Sequence, residues 1–181
     1  MELTCRKFEL PDRPRLRAMY LEFEPKGVFQ GLPPETDRHL DEWLHEIDGP
    51  GVLNFVVDTG ERIVGHAMLC PAPDKPAAEL AIFLHQDWRG FGAGKALLLG
   101  ALNYGCQQLE CDRVWLSVQG ANPLALHLFE SVGFRPVVGG QIFSWELEMA
   151  RPSHCEECKG EKCEVFQTAL PVTLRLPRHR R

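Results

Sequence analysis

The stretch "HQDWRGFGAGKALLLG", residues 85–100, sets three glycines and a lysine between an apolar run and a pattern of helical period. Glycines let backbone approach a ligand closely, and the first N–H groups of a following helix point outward with the positive end of its dipole. The stretch is therefore either an anion cradle or a turn kept small for packing. Two familiar nucleotide loops are excluded. A Walker-type loop needs G-x-x-x-x-G-K-[ST], but the glycines fall at 90, 92 and 94, and Lys95 is followed by Ala96. A dinucleotide fingerprint G-x-G-x-x-G starting at Gly90 meets Lys95 in place of its last glycine, and one starting at Gly92 meets Leu97.

Upstream, "AAELAIFLH" reads as a central strand covered on both faces, preceded by two runs, "GVLNFVVD" and "RIVGHAMLC", joined by the tight turn "DTGE" as a hairpin. Residues 2–8 start a strand. "DRPRLRAMYLEFEP" forms a helix opened near Pro14, with Leu16, Met19, Tyr20 and Phe23 on one face. A second helix begins at Glu35 or Thr36 and carries Leu40, Trp43, Leu44 and Ile47. Downstream of the glycines, Leu97, Leu98, Ala101, Leu102 and Leu109 recur at helical spacing, and "RVWLSVQ" is a strand. "ANPLALHLFESVGF" is a helix that Asn122 can cap and Gly133 can end, with Leu124, Ala125, Leu128, Phe129 and Val132 as its apolar stripe. Residues 134–138 and 141–149 make a final strand pair. The order describes a mixed α/β sheet of about seven strands flanked by about four helices.

With 181 residues and 44% hydrophobic content the chain can bury a real core. The expected division is one domain over residues 1–150 and a cysteine-containing, arginine-ended tail over 151–181. A net charge of −5 argues against general nucleic-acid binding, which needs a basic face. No apolar stretch approaches the roughly 18 residues that span a bilayer, and "MELTCRKFEL" carries no signal segment, so a cytoplasmic protein without membrane partners is expected. Of seven cysteines, Cys5, Cys70, Cys106 and Cys111 read as small buried hydrophobes. Cys155, Cys158 and Cys163, with His154 adjacent, form H-C-x-x-C-x-x-x-x-C, for which structural zinc, a disulfide and free thiols are all open.

Two motifs taken together narrow the field. R-x-x-G-x-G at Arg89, Gly92 and Gly94, followed by N-x-x-A-x-x-L-x-E-x-x-G-F at Asn122, Ala125, Leu128, Glu130, Gly133 and Phe134, resembles the GNAT superfamily of acyl-CoA N-acyltransferases. The resemblance covers residues 2 to about 149. It implies that the amides of Gly90, Phe91, Gly92, Ala93 and Gly94 hold the pyrophosphate of acetyl-CoA, with Arg89 and Lys95 facing the phosphates. It further implies that the pantetheine arm joins the sheet at a bulge, through the backbone of Ile82 and Leu84 beside Phe83. Asn122 would contact the same arm; a plain helix cap is the local alternative.

The implied chemistry is transfer of an acetyl group to a primary amine, on a small molecule or a protein, by direct attack on the thioester. An amine of pKa about 10.4 loses its proton at pH 7 at a cost of about 4.6 kcal/mol, so a base is useful. Glu79, on the central strand, matches the family's carboxylate position; a surface ion pair is the alternative. His66, His85 and His127 are further titratable candidates, though an isolated histidine is more often structural. Phe129 stands where many family members carry a tyrosine that protonates the departing thiolate. A thiol of pKa about 8.5 leaves unprotonated at a cost of roughly 2 kcal/mol, which slows a transferase without abolishing it. Tyr104 and Ser117 are the hydroxyls considered in its place.

In this family the loop between the first two helices borders the acceptor site, so Phe23, Phe29 and Gln30 are the substrate candidates, with Glu22, Glu24 or Glu35 attracting a cation. A homodimer is the assembly considered. Two rivals to the transferase are an acyl-CoA sensing module with little turnover, favoured by Phe129, and a thiol or zinc interaction protein built on the tail.

Overall fold

The computed structural model describes residues 2–27, 32–73, 76–137, 144–150 and 172–175. Its sheet runs β6-β7-β5-β4-β3-β2-β1-β8. The strands are β1 (Glu2–Lys7), β2 (Leu53–Asp58), β3 (Ile63–Pro71), β4 (Ala77–Leu84), β5 (Arg113–Gln119), β6 (Arg135–Pro136), β7 (Ser144–Ala150) and β8 (Val172–Arg175). Every neighbouring pair is antiparallel except β4 and β5, which are parallel. Eight strands rather than about seven are present among the described residues, because the tail adds β8 to the edge of β1, pairing Glu2 with Arg175 and Cys5 with Val172. Edge strands leave a row of unpaired backbone groups, and a short segment containing Val172 and Thr173 suits that position.

Four helices flank the sheet: α1 (Arg13–Leu21), α2 (Asp37–Glu46), α3 (Ala93–Gln108) and α4 (Pro123–Ser131). The helical stripes read from the sequence are buried in α1 and α2: Leu16, Met19, Tyr20, Leu40, Trp43 and Leu44, followed by Phe23 and Ile47. These pack with Val56, Ile63, Met68 and Phe83 on one face of the sheet. On the other face α3 covers Leu3, Phe55, Val57, Leu69 and Leu80, and approaches so closely that a Cβ at Gly105 would run into Leu69. Each buried Leu or Phe contributes about 1.5–3 kcal/mol, so the alternation along β4 commits its two faces to two separate cores. Cys5, Cys106 and Cys111 are buried in the expected way, and Cys70 is half-buried.

α1 is fixed to the sheet by charge as well as by packing. Arg6 on β1 donates to both Asp12 (2.6 and 2.8 Å) and Asp58 at the end of β2 (2.6 Å). Arg15 on α1 also binds Asp58. The bond from Arg6 is the main cause holding the Asp12 carboxyl below its usual range. At Asp58 burial works upward, but the bonds from Arg15 and Arg6 prevail and its pKa is lowered.

Candidate active site

β4 and β5 pair over only three residues, Ala77 with Arg113, Ala78 with Val114 and Glu79 with Trp115. Both strands continue, β4 to Leu84 and β5 to Gln119, so they part beyond Glu79. The expected bulge is not the cause, since β4 stays in unbroken register with β3 from Pro71–Ala78 to Gly65–Leu84. Between the parted strands opens a cavity of about 590 Å³, lined at its closed end by Leu80 and Leu116. The His85 N–H bonds the Val64 carbonyl on β3, so strand alternation turns the backbone of Leu84 and Ile82 the other way, toward the cavity.

The glycine turn forms the cavity's opposite end. Gly90 and Gly92 have φ of +82° and +84°, a region that favours glycine, and a Cβ at either would meet nothing within 4 Å. Packing therefore does not require these glycines; backbone conformation does. Gly92 is the N-cap of α3, whose first helical bond runs from the Ala96 N–H to the Gly92 carbonyl. The N–H groups of Ala93, Gly94 and Lys95 precede that bond and have no partner within the helix. Lys95 is exposed beside them, and Gly90, Gly92, Gly94 and Lys95 all line the cavity. Phe91 and Ala93 do not line it: the Phe91 ring is 36% exposed and Ala93 is fully buried.

Arg89 lines the cavity and is also tied to backbone. Its Nε donates to the Leu84 carbonyl (3.0 Å) and its Nη2 to the Glu24 carbonyl (2.7 Å), tying the end of β4 to the segment after α1. Burial lowers its pKa. Asn122 satisfies both of its readings, since its Oδ1 accepts from the Ala125 N–H (3.2 Å) as a cap while the residue lines the cavity. Phe129 is a buried part of the wall, edge-on to Phe134 at 5.8 Å. Leu124, read as part of α4's buried stripe, is 78% exposed at the cavity lining. A helical stripe has the same period whether it faces a core or a ligand groove.

Ile82, Phe83, Leu84 and Phe23 are in the lining as well. Glu79 is not; it sits one residue past the closed end, half-buried, with its pKa raised by burial. It shares with Phe83 the face of β4 turned to α1 and α2. Phe29 and Gln30, and likewise Cys155, Cys158 and Cys163, lie outside the described residues. Glu22, Glu24 and Glu35 do not line the cavity; Glu22 is bonded to Arg62 at 2.6 Å.

The histidines separate. His66 is fully buried between the Tyr20 hydroxyl (2.7 Å from Nδ1) and Asn54 Oδ1 (3.0 Å from Nε2), and burial pushes its pKa down to about 3. Asn54 Nδ2 already donates to the Ile47 carbonyl, so its Oδ1 accepts and the neutral ring carries its proton on Nε2. His85 is buried, its Nδ1 accepting from the Asp87 N–H, and its pKa is lowered by burial. His127 is exposed on the cavity side of α4. Among described lining residues the hydroxyls are Ser117 and Ser131, and the latter donates to the Leu128 carbonyl. Tyr104 is elsewhere, under Lys7 on the α3 face.

Comparison with known proteins agrees with this geometry. Among curated proteins none matches the chain in sequence. Solved structures similar to it include a chimera of the spermidine N-acetyltransferase SpeG from Vibrio cholerae and hSSAT, at 23% identity and TM-score 0.67, covering 85% of this chain and 98% of that one. An acetyltransferase of the GNAT family from Streptococcus pneumoniae is similar at 20% identity and TM-score 0.67, over 82% and 98% of the two chains. The spermidine N-acetyltransferase from Vibrio cholerae in complex with CoA and spermine has 22% identity and TM-score 0.65, over 82% and 95%. These likenesses establish the fold. The model of the acetyltransferase (GNAT) family matches residues 13–134, two thirds of the sequence and the whole of the groove described above, and the chain belongs to that family as an N-acetyltransferase.

Proposed function

We propose that the chain transfers an acetyl group from acetyl-CoA to a small primary amine by direct attack on the thioester, without a covalent enzyme intermediate. One observation carries the reading: the gap that opens after Glu79 and Trp115 runs without interruption to the open glycine turn at Gly90 and Gly92. The residues fit the cosubstrate. The amides of Gly92, Ala93, Gly94 and Lys95 and the Lys95 ammonium would hold the pyrophosphate. The backbone of Ile82 and Leu84 would receive the pantetheine arm as a strand receives a neighbour.

When bound, acetyl-CoA supplies the thioester carbonyl; the amine nitrogen bonds to it and the carbon–sulfur bond breaks. Glu79 would take the proton that the ammonium must lose, through water, since the carboxylate lies one residue beyond the cavity wall. Burial raises its pKa toward that of the proton donor, which improves a general base as long as it stays ionised at working pH. Ser117, a hydroxyl in the cavity lining, would assist the departing sulfur where Phe129 has none. Acetyl-CoA consumption with thiol release, measured across a panel of primary amines, tests the reading. Release with at least one amine is the expected result, and binding of acetyl-CoA without release from any of them would leave the sensing module that Phe129 favours.

A further inference from the structure

Where the cavity meets the core under α1 and α2, the side on which an acceptor would sit, its described lining is apolar. Phe23, Pro25, Leu32, Pro33, Ala81 and Phe83 line it, and Phe23, Leu32, Ala81 and Phe83 also belong to the core between the sheet and α1 and α2. No Asp or Glu is among the described residues lining the cavity, whose ionisable side chains are Arg89, Lys95 and His127. The three glutamates nearest in sequence are turned to other work or lie outside the lining: Glu22 binds Arg62, the Glu24 backbone is held by Arg89 and Gln86, and Glu35 packs against Gly27.

We infer that the acceptor is a monoamine with an apolar or aromatic body, and that polyamines are poor substrates. The inference rests on the transfer reading above and narrows its substrate class. The reacting nitrogen must be neutral. A monoamine that has lost its one proton carries no charge and can bury its body against Phe83 and Leu32, a gain that grows with each methylene. A triamine keeps its other ammonium groups, which would enter a wall with no carboxylate among its described residues and with Arg89 already present. Burying a charge without a partner is among the largest penalties in a protein site. Aromatic recognition does not rescue it at Phe23, whose ring already faces the Arg89 guanidinium 5.4 Å away.

The test compares kcat/KM for 2-phenylethylamine, n-hexylamine and spermidine by thiol release at saturating acetyl-CoA, in the wild type and in Leu32→Glu, a partly exposed position in the wall. Both monoamines should exceed spermidine by at least about tenfold in the wild type, and the new carboxylate should narrow or reverse that ratio. Spermidine equal to or better than both monoamines would overturn the inference while leaving the transfer reading intact. A chain whose melting temperature rises with CoA but that releases thiol with no amine would overturn the transfer reading, and this inference with it.

Discussion

Arg89 lies over the ring of Phe23, its guanidinium carbon 5.4 Å from the ring centroid, while the same group bonds the Leu84 and Glu24 carbonyls. One side chain thus fastens Phe23 and the segment after α1 to the end of the strand that the cosubstrate would line. A lysine keeps the charge but has no planar fork to reach two carbonyls and stack at once. Arg89→Lys should therefore raise the KM for the amine as well as for acetyl-CoA, each by about five- to twentyfold, at a loss of roughly 1–2 kcal/mol of held geometry. Steady-state titration of both substrates separates this from a phosphate contact, which would move the acetyl-CoA KM alone.

Glu79 pairs with Trp115 at the last rung before β4 and β5 part, and it does not line the cavity. As the base it should matter for turnover and not for cosubstrate binding. Glu79→Gln should lower kcat by about 10²-fold or more with the acetyl-CoA dissociation constant unchanged. Because burial raises its pKa, the wild type should lose activity on acidification through that raised value, and the variant should lack that limb of the pH profile. A variant as fast as the wild type would remove Glu79 from the mechanism.

Gly92 has φ of +84° and open space where a Cβ would stand. Gly92→Ala meets no steric wall, so its cost to folding is the left-handed conformation alone, about 1–2 kcal/mol. If the turn exists to present amides to a phosphate, the same change should weaken CoA binding by about tenfold or more, because relaxing φ re-aims the first amides of α3. Thermal melting and calorimetric CoA titration of one sample check both halves. Unchanged CoA affinity would assign the turn to chain reversal only.

Much of this site is legible in the residues, for a definite physical reason. Glycines before a helix, an Asn-Pro opening another, and an apolar strand between them announce their local geometry through backbone chemistry. Ile82, Leu84, Gly92, Gly94 and Asn122 accordingly fall on one cavity. What depends on tertiary register is not legible. Nothing in "AAELAIFLH" or "RVWLSVQ" tells where two parallel strands stop pairing, so Leu116 enters the wall unannounced and Glu79 falls outside it. Leu124 has the period of a core residue and is exposed. Arg89 shows its charge in the sequence, but the carbonyls that claim it come from Leu84 and from Glu24, 65 residues away.

His66 offers a stability signature independent of activity. Folding lowers its pKa from 6.5 to about 3 by burial, so over that interval the unfolded chain binds a proton that the folded chain refuses. Its contribution is fully present above about pH 6.5 and is lost as the pH falls toward 3, with a slope approaching about 1.4 kcal/mol per pH unit. The carboxylates of Asp12 and Asp58, whose pKa values are lowered from 3.8, contribute only at the acid end of that range. His85, also lowered by burial, acts in the same direction between pH 6 and 4.5 and Glu79, raised from 4.5, acts against it, so the part due to His66 is the difference between wild type and variant. Urea unfolding should show stability falling across that interval in the wild type. His66→Gln, whose amide can still meet Tyr20 or Asn54, should fold with lower stability at neutral pH and a flatter dependence between pH 6 and 4.5. An equally steep dependence in the variant would place the acid sensitivity in another group.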